Sequence, residues 1–588
     1  MKEFFRQYFF LLDKSTKGFL PFLLVLFLLS SMLDVVGIGL ISFFLLLVVN
    51  FNTIFNKLPF FLQNIFSSFS EKKTIIIVGI LLIFSFIFKG VTSLYVQQKT
   101  IATTSQLAVR IKIRLMRAYQ HADYAFHLKQ NSSDLINRTG WADGFVNNAF
   151  SASLNFISSL LVMSGILFFL FLVHPIATAF LVVLVVMLFT TYRLLFQKKI
   201  QEMSRVLSIA NVGIIKAILQ GIGGLKEIRI LGCESFFLQK LANATSSYSF
   251  ALARYNALQL IPRYFIEAFA SVFLIAIILV TVITGVKPVD IIPTLGVFAA
   301  ACIRLLPTLN QFVGLSSQLT VGSFTTNLLY QEISTLENQR SNQVIGITKD
   351  RLLFSTLTLQ DITFRYSLAL HDALTDVNLT IQRGQSIGLI GPSGSGKSTL
   401  VSVILNLLKQ KTGRVLVNGQ PINDLRAWLN NFAYMPQSIF LLDDTLKHNI
   451  AMGIEDADID EEKLTNAIIS AQLSDVVSGL PQGADTVIGE HGIRLSGGQR
   501  QRVALARAFY FEREIIVMDE ATSSLDSETE REVITAIKRL HGIKTLIVIA
   551  HRLTTIEYCD IVYKLEKGRI TAQGNFNEVV KKSAMMAQ

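Results

Sequence analysis

Six apolar runs, each of about twenty residues or more, crowd into the first 320 or so residues of this 588-residue chain, and no such run follows them. A helix needs about that length to cross a bilayer, where hydrocarbon offers backbone amides and carbonyls no partner but each other. The runs cover 19–49, 74–96, 145–173, 176–196, about 255–284 and about 291–321, with His174-Pro175 breaking the third from the fourth. From about Leu352 onward the pattern changes. Strand-like and helical stretches alternate, with Asp, Glu, Gly and Lys interspersed, as in a globular α/β domain. ENQRSNQVIGITKD (337–350), polar throughout, reads as the linker. The chain is therefore expected to hold a membrane all-α domain of six helices over 1–336 and an α/β domain over 351–588.

Composition supports the division. The chain is 51% hydrophobic and 16% charged, where a soluble protein carries about a quarter charged residues. The net charge of +12 does not form a stripe with interleaved aromatics. Its positives flank the spans, as in KKTIII from Lys72 and RLLFQKK from Arg193, so they read as inside-facing anchors and no nucleic-acid partner is expected. The basic, helix-patterned segments 97–144 and 197–253 then face the cytosol. MKEFFRQYFFLLDKSTK is too charged for a cleavable leader and reads as an amphipathic entry into a retained helix. Segment 51–73 is aromatic-rich but too polar to span, as an interfacial helix is. Cys233, Cys302 and Cys559 are scattered, without CxxC, which supports neither a zinc site nor a disulfide framework.

The chemistry lies in the second half. LIGPSGSGKSTL (389–400) follows the strand-like QSIGLI and opens a helical pattern, which is the strand–loop–helix context a phosphate-binding GxxxxGK[ST] loop requires. Gly391, Gly394 and Gly396 let backbone amides wrap phosphates, and a helix N-terminus favours the negative charge. Ser393, Ser395 and Thr399 complete the nucleotide-contacting run. Lys397 reaches the β- and γ-phosphates, and the Ser398 hydroxyl suits Mg²⁺. In REIIVMDEATSSLD (513–526) an apolar strand delivers two carboxylates at its end. Asp519 suits the Mg²⁺ shell, and Glu520 can polarise a water for in-line attack on the γ-phosphate. The domain is thus an α/β P-loop nucleotide-binding domain that takes a nucleotide's phosphates with Mg²⁺.

RLSGGQRQRVALARAF (494–509), with the phosphate loop, the DEATSSLD run and AHRL (550–553), resembles an ATP-binding cassette (ABC) domain, and the six spans ahead of it resemble an ABC exporter half-transporter. The resemblance covers essentially the whole chain. It implies ATP and Mg²⁺ as cofactors, with two chains sandwiching two ATP molecules and Ser496, Gly497, Gly498 and Gln499 of one clamping the γ-phosphate held by the other. It implies further that Gln437, in YMPQS, links Mg²⁺ and water to the membrane half, that His551 contacts the γ-phosphate, that Tyr366, in TFRYS, stacks on adenine, and that Asp526 closes the composite site. TVIGEHG (486–492) resembles the exporter X-loop. A homodimer is the simplest assembly, since one chain supplies one membrane half and one cassette.

Charges inside the spans bear on the cargo. Lys89 lies 15 residues into the second span, Arg304 14 past Asp290 and Arg263 21 before Thr284, depths of roughly 22, 21 and 31 Å from the outer ends. Three cations at compatible depth, against the acids Asp34 and Glu267, are expected to line one anion-handling cavity. Two blander readings stay open: Lys89 or Arg263 snorkels to the interface, or Arg263 pairs with Glu267 one turn on. GLKEIRILGCE (224–234), RLLPTLNQ (304–311) and segment 51–73 resemble bacterial lipid-linked oligosaccharide flippases of the PglK type. That resemblance implies an inner-membrane protein, cassette in the cytosol, that flips an anionic polyprenyl-pyrophosphate-linked glycan for protein glycosylation. A broader lipid, drug or peptide exporter and an ATP-gated channel or membrane regulator are the alternatives. The regions near 121–137 and at 224–234 are the candidate coupling helices.

Overall fold

The computed structural model describes residues 2–49, 51, 70–283, 288–338, 350–367, 369–519, 535, 538–549 and 553–579. Most of segment 51–73, most of the linker, and Glu520, Asp526 and His551 lie outside the described residues. The chain divides into two compact units, Met1–Ala122 with Lys129–Gln339, and Asp123–Leu128 with Arg340–Gln588.

The first unit is helical. Its elements are α1 (Lys2–Leu11), α2 (Lys14–Val49) and α3 (Glu71–Gln120), then, past a short α4 (Tyr124–His127) that falls in the other unit, α5 (Ser132–Phe145), α6 (Ala152–Val173), α7 (Pro175–Gly223), α8 (Leu225–Leu231), α9 (Glu234–Ile283) and α10 (Pro288–Asn338). Among the described residues five helices are long and apolar enough to cross a membrane, and α9 carries the remaining expected span. Helices α3, α7, α9 and α10 run 50, 49, 50 and 51 residues. At about 1.5 Å per residue each is roughly 75 Å long, more than twice the hydrocarbon thickness. Each span therefore continues as a helix well beyond the apolar layer, which accounts for the polar helical segments 97–144 and 197–253.

Without a hydrophobic drive between helices in lipid, close packing has to come from small residues. A Cβ on Gly165 of α6 would come 2.8 Å from the Val35 side chain of α2, and Ser31 donates to the Leu161 carbonyl at 2.9 Å. Between α5 and α6 the chain takes a π turn, Val146–Ser151. Gly322 of α10 lies so close to it that a Cβ would overlap the Asn148 carbonyl. The polar ends are tied by charge. Arg114 of α3 grips Glu337 of α10 with two bonds of 2.9 and 2.8 Å and donates to the Phe10 carbonyl of α1. Arg138 meets Glu332 at 2.7 Å.

The second unit contains a sheet of order β2 (Leu374–Gln382), β1 (Thr356–Phe364), β4 (Thr412–Val417), β5 (Gln420–Pro421), all antiparallel. A second, six-stranded sheet runs β10 (Arg569–Gly574), β9 (Ile561–Glu566), β3 (Ser386–Ile390), β8 (Thr545–Ile549), β7 (Ile515–Asp519), β6 (Phe432–Met435). Its strands are parallel except for the β9–β10 hairpin. Strands β7 and β8 are buried at every residue, as IIVMD and TLIVI must be when both faces of a parallel sheet are covered. Trp428 anchors one core, fully buried, its indole donating to the Ile404 carbonyl at 3.0 Å. Ala125 of α4 packs on that same core.

Candidate functional site

In an open parallel sheet, ligand-binding residues gather beyond the carboxyl ends of the strands. Strand β3 delivers the phosphate loop and β7 delivers Asp519, two strands away in the same sheet. The loop passes into α11 (Lys397–Ile404), whose N-cap is Gly396. Gly391, Gly394 and Gly396 have φ of +145°, +78° and +104°, a region open to glycine and strained for other residues. Gly391 has a second reason to be glycine: a Cβ there would overlap the Leu565 carbonyl. Lys397 is buried and donates to the carbonyls of Gly391 and Pro392 at 2.9 and 3.0 Å. Its ammonium is thereby held over the loop that the motif assigns to phosphates.

Ser395 is 3% exposed and its hydroxyl has no partner among the described residues. An orphaned buried hydroxyl beneath a glycine cradle and a helix N-terminus fits a loop built to close on phosphate oxygens. Ser393 and Ser398 are exposed at the same loop. The Tyr366 hydroxyl lies 3.0 Å from that of Thr399, tying the end of β1 to α11 while the ring stays 37% exposed. These residues fit Mg·ATP, which when bound supplies the scissile phosphoanhydride and the cation that screens it.

Asp519, 7% exposed, accepts from the Tyr434 hydroxyl at 3.3 Å. Partial burial and the Asp519 carboxylate together push the Tyr434 phenol above its ordinary value, so it remains a donor to that carboxylate at any physiological pH. Tyr434, on β6 three residues before Gln437, is a site residue that sequence reasoning missed. Its position at the end of a strand paired with β7 is the signal that reveals it. Gln437 itself is exposed just past β6.

LSGGQ forms the start of α12 (Gly497–Tyr510). Ser496 is the N-cap, its hydroxyl accepting from the Gln499 amide at 3.2 Å, while the Gln499 side chain accepts from the Ser496 amide at 2.8 Å. This reciprocal capping box fixes the helix start. It leaves an exposed Ser496 at the positive end of a 14-residue helix, able to meet an anion from outside this chain's own loop.

In the membrane unit the structure brings two of the three expected cations together. Lys89 of α3 donates to Asp34 Oδ1 of α2, and Arg304 Nε of α10 lies 3.6 Å from the same oxygen. The side chains of Lys89 and Asp34 are 7% and 11% exposed, whereas Arg304 is 46% exposed. Arg263 is not part of this cluster. It bonds Glu267 at 2.9 Å, one turn along α9, with both side chains outward-facing, because an i,i+4 pair needs no tertiary contact to form. The shared counter-ion Asp34 is the residue the sequence could not place, since nothing at 34 announces partners at 89 and 304. Between α7, α9 and α10 lies an apolar cavity of about 300 Å³, its wall including Phe189, Tyr192, Phe265, Phe269 and Phe312.

Residues 39–302 match the family model for the ABC transporter transmembrane region, and residues 374–523 the model for the ABC transporter domain. An ATP-dependent lipid A-core flippase of Cupriavidus metallidurans is 34% identical over 63% of this chain and 62% of that one. Its namesake in Cupriavidus pinatubonensis is 29% identical over 82% of each. The structure of a bacterial Atm1-family ABC exporter with ATP bound superposes with a TM-score of 0.80 over 98% of both chains at 19% identity, a likeness of fold. Motifs, fold and family models agree that the chain belongs to the ATP-binding cassette transporters, as a multi-pass exporter whose α/β cassette uses ATP and Mg²⁺ and couples ATP hydrolysis to transport.

Proposed function

We propose that two copies of this chain form a homodimeric flippase for an anionic, amphipathic lipid in a bacterial inner membrane, with the cassettes in the cytosol. The cargo that fits best is a polyprenyl-pyrophosphate-linked oligosaccharide. One observation carries this reading: a half-exposed Arg304 and a buried Lys89 share a single carboxylate between membrane-spanning helices, leaving one net positive charge where charge is costly. An anionic headgroup is what such a charge attracts, and the apolar cavity between α7, α9 and α10 suits a hydrocarbon chain. The names of the relatives, lipid A-core flippases, favour a lipid cargo too. They also supply the second reading, that lipid A-core is itself the substrate.

The membrane domain spans 1–336, the linker 337–350 and the cassette 351–588. Lys397 and the loop glycines hold the ATP phosphates, Ser398, Gln437 and Asp519 the Mg²⁺, and Tyr366 the adenine. Ser496, Gly497, Gly498 and Gln499 reach the γ-phosphate across the dimer, with Asp526 closing the composite site. Glu520 takes the proton of the attacking water, and His551 steadies the γ-phosphate. Closure passes to the membrane helices through α4 and α8.

The test is ATPase activity of the purified protein in lipid nanodiscs, titrated separately with a polyprenyl-pyrophosphate glycan and with lipid A-core. Stimulation by the first, normalised to each variant's unstimulated rate and lost in Arg304→Ala, is the expected result. Stimulation by lipid A-core alone selects the second reading, and no stimulation by either removes both. In the same assay Glu520→Gln should bind ATP yet turn over at least 100-fold more slowly, as loss of a general base implies.

A further inference from the structure

The two cations that share Asp34 differ in how they are held. Lys89 is closed off, its ammonium against Asp34 and 5.8 Å from the Phe86 ring centroid. Arg304 faces the same Asp34 oxygen at 3.6 Å, beyond a good hydrogen bond, and is about half exposed. Asp34 is also tightly placed. Its neighbour Val35 packs on Gly165 of α6, and a Cβ on Gly37, one turn on, would come 3.4 Å from the Phe86 ring of α3. A carboxylate on a helix so closely wedged has little freedom to follow a moving guanidinium.

From this geometry we infer that Asp34 is a resident competitor for Arg304 and thereby sets the charge a headgroup must carry to be accepted. This rests on the flippase reading above. The same Asp34 oxygen serves both cations, so the carboxylate that holds Lys89 also draws Arg304. A ligand engages Arg304 by outbidding that carboxylate. A monoanionic phosphodiester brings one charge, equal to Asp34, and gains little by the exchange. A pyrophosphate brings more charge and several acceptor oxygens for the fork of the guanidinium. The cluster thus selects for multiply charged headgroups through a repulsive element, in addition to the attractive one. Lys89 is a positioning residue, which restrains Asp34 and keeps it from capturing Arg304 outright.

The experiment is the nanodisc ATPase titration with a polyprenyl-pyrophosphate glycan, run beside one with phosphatidylglycerol as the monoanionic probe. The variants are Asp34→Asn, Lys89→Met, and Asp34→Asn with Lys89→Met, the last removing the buried pair together so that no charge is left stranded. In the double variant the half-maximal glycan concentration should fall about tenfold, the change expected when one competing charge leaves a partly screened site. Phosphatidylglycerol, inert on wild type, should begin to stimulate. Lys89→Met alone should shift the glycan response the other way, since Asp34 then faces Arg304 unopposed. A thermal melt identifies any variant that fails to fold, and the double variant stands as the decisive one. If it responds to the glycan as wild type does and still ignores phosphatidylglycerol, Asp34 is only a structural partner of Lys89 and the inference is wrong. If wild type and the double variant both ignore the glycan and phosphatidylglycerol, the polyprenyl-pyrophosphate reading on which the inference rests falls.

Discussion

His448 shows what a single side chain can contribute to the cassette. Its two ring nitrogens lie 2.9 Å from Asp444 and 2.9 Å from Asp456, and Lys447 approaches Asp456 at 3.8 Å. The hydrogen bond to Asp444, followed by that to Asp456, raises the imidazole above its ordinary value, and His448 in turn lowers Asp444. A group whose folded value is raised stabilises fully below its unfolded value, about 6.5, and loses that contribution as pH rises through the folded one. His448→Gln should therefore lower the melting temperature more at about pH 6 than at about pH 8.5. An equal shift at both would show that the ring is not charged by its neighbours. None of this is legible in LLDDTLKHNI. The i,i+4 spacing offers Asp444 as a partner, but Asp456 lies beyond the helix, and only the fold brings it near.

Among the elements, α9 carries a proline inside its span. Pro262 has no amide hydrogen to give the carbonyl four residues back, and that carbonyl, Leu258, accepts instead from the Tyr192 hydroxyl of α7 at 3.3 Å. Tyr192 also lies 3.3 Å from the Ser317 hydroxyl of α10, so one phenol joins three helices at the wall of the apolar cavity. Tyr192→Phe should lower the melting temperature by a few degrees, consistent with roughly 0.6–2 kcal/mol for a hydrogen bond between membrane helices. An unchanged melt would mean that water or another donor already serves Leu258. The sequence foretold the spans well, because apolar length is a local property. It foretold the phosphate loop well for the same reason: its glycines, lysine and flanking strand sit within twelve residues. It left Arg263 open between a shared cavity and a helical neighbour, and the structure pairs it with that neighbour, Glu267. The π turn at Val146–Ser151 and the Asp34 cluster depend on contacts across helices, which no local pattern encodes.

Across the whole molecule, the signature Ser496–Gln499 presents a helix start already satisfied by its own capping box. If each ATP is held by the phosphate loop of one chain and the signature of the other, defects in the two elements should complement in a fixed pattern. In a tandem fusion of two chains, Lys397→Ala and Ser496→Arg placed in the same copy should spoil both sites. Placed in different copies, they fall on one composite site and leave the other whole, with about half the ATPase rate. Equal loss in both arrangements would show that the sites are not shared.

The six residues Asp123–Leu128 belong to the cassette unit although they are encoded between two membrane helices. A cut placed anywhere in the linker therefore yields a C-terminal fragment without the segment bearing Ala125, which packs on the cassette core. Chimeras that exchange cassettes between related exporters by a single crossover would inherit a mismatched insert, and a faithful graft has to transplant two separate stretches of DNA at once.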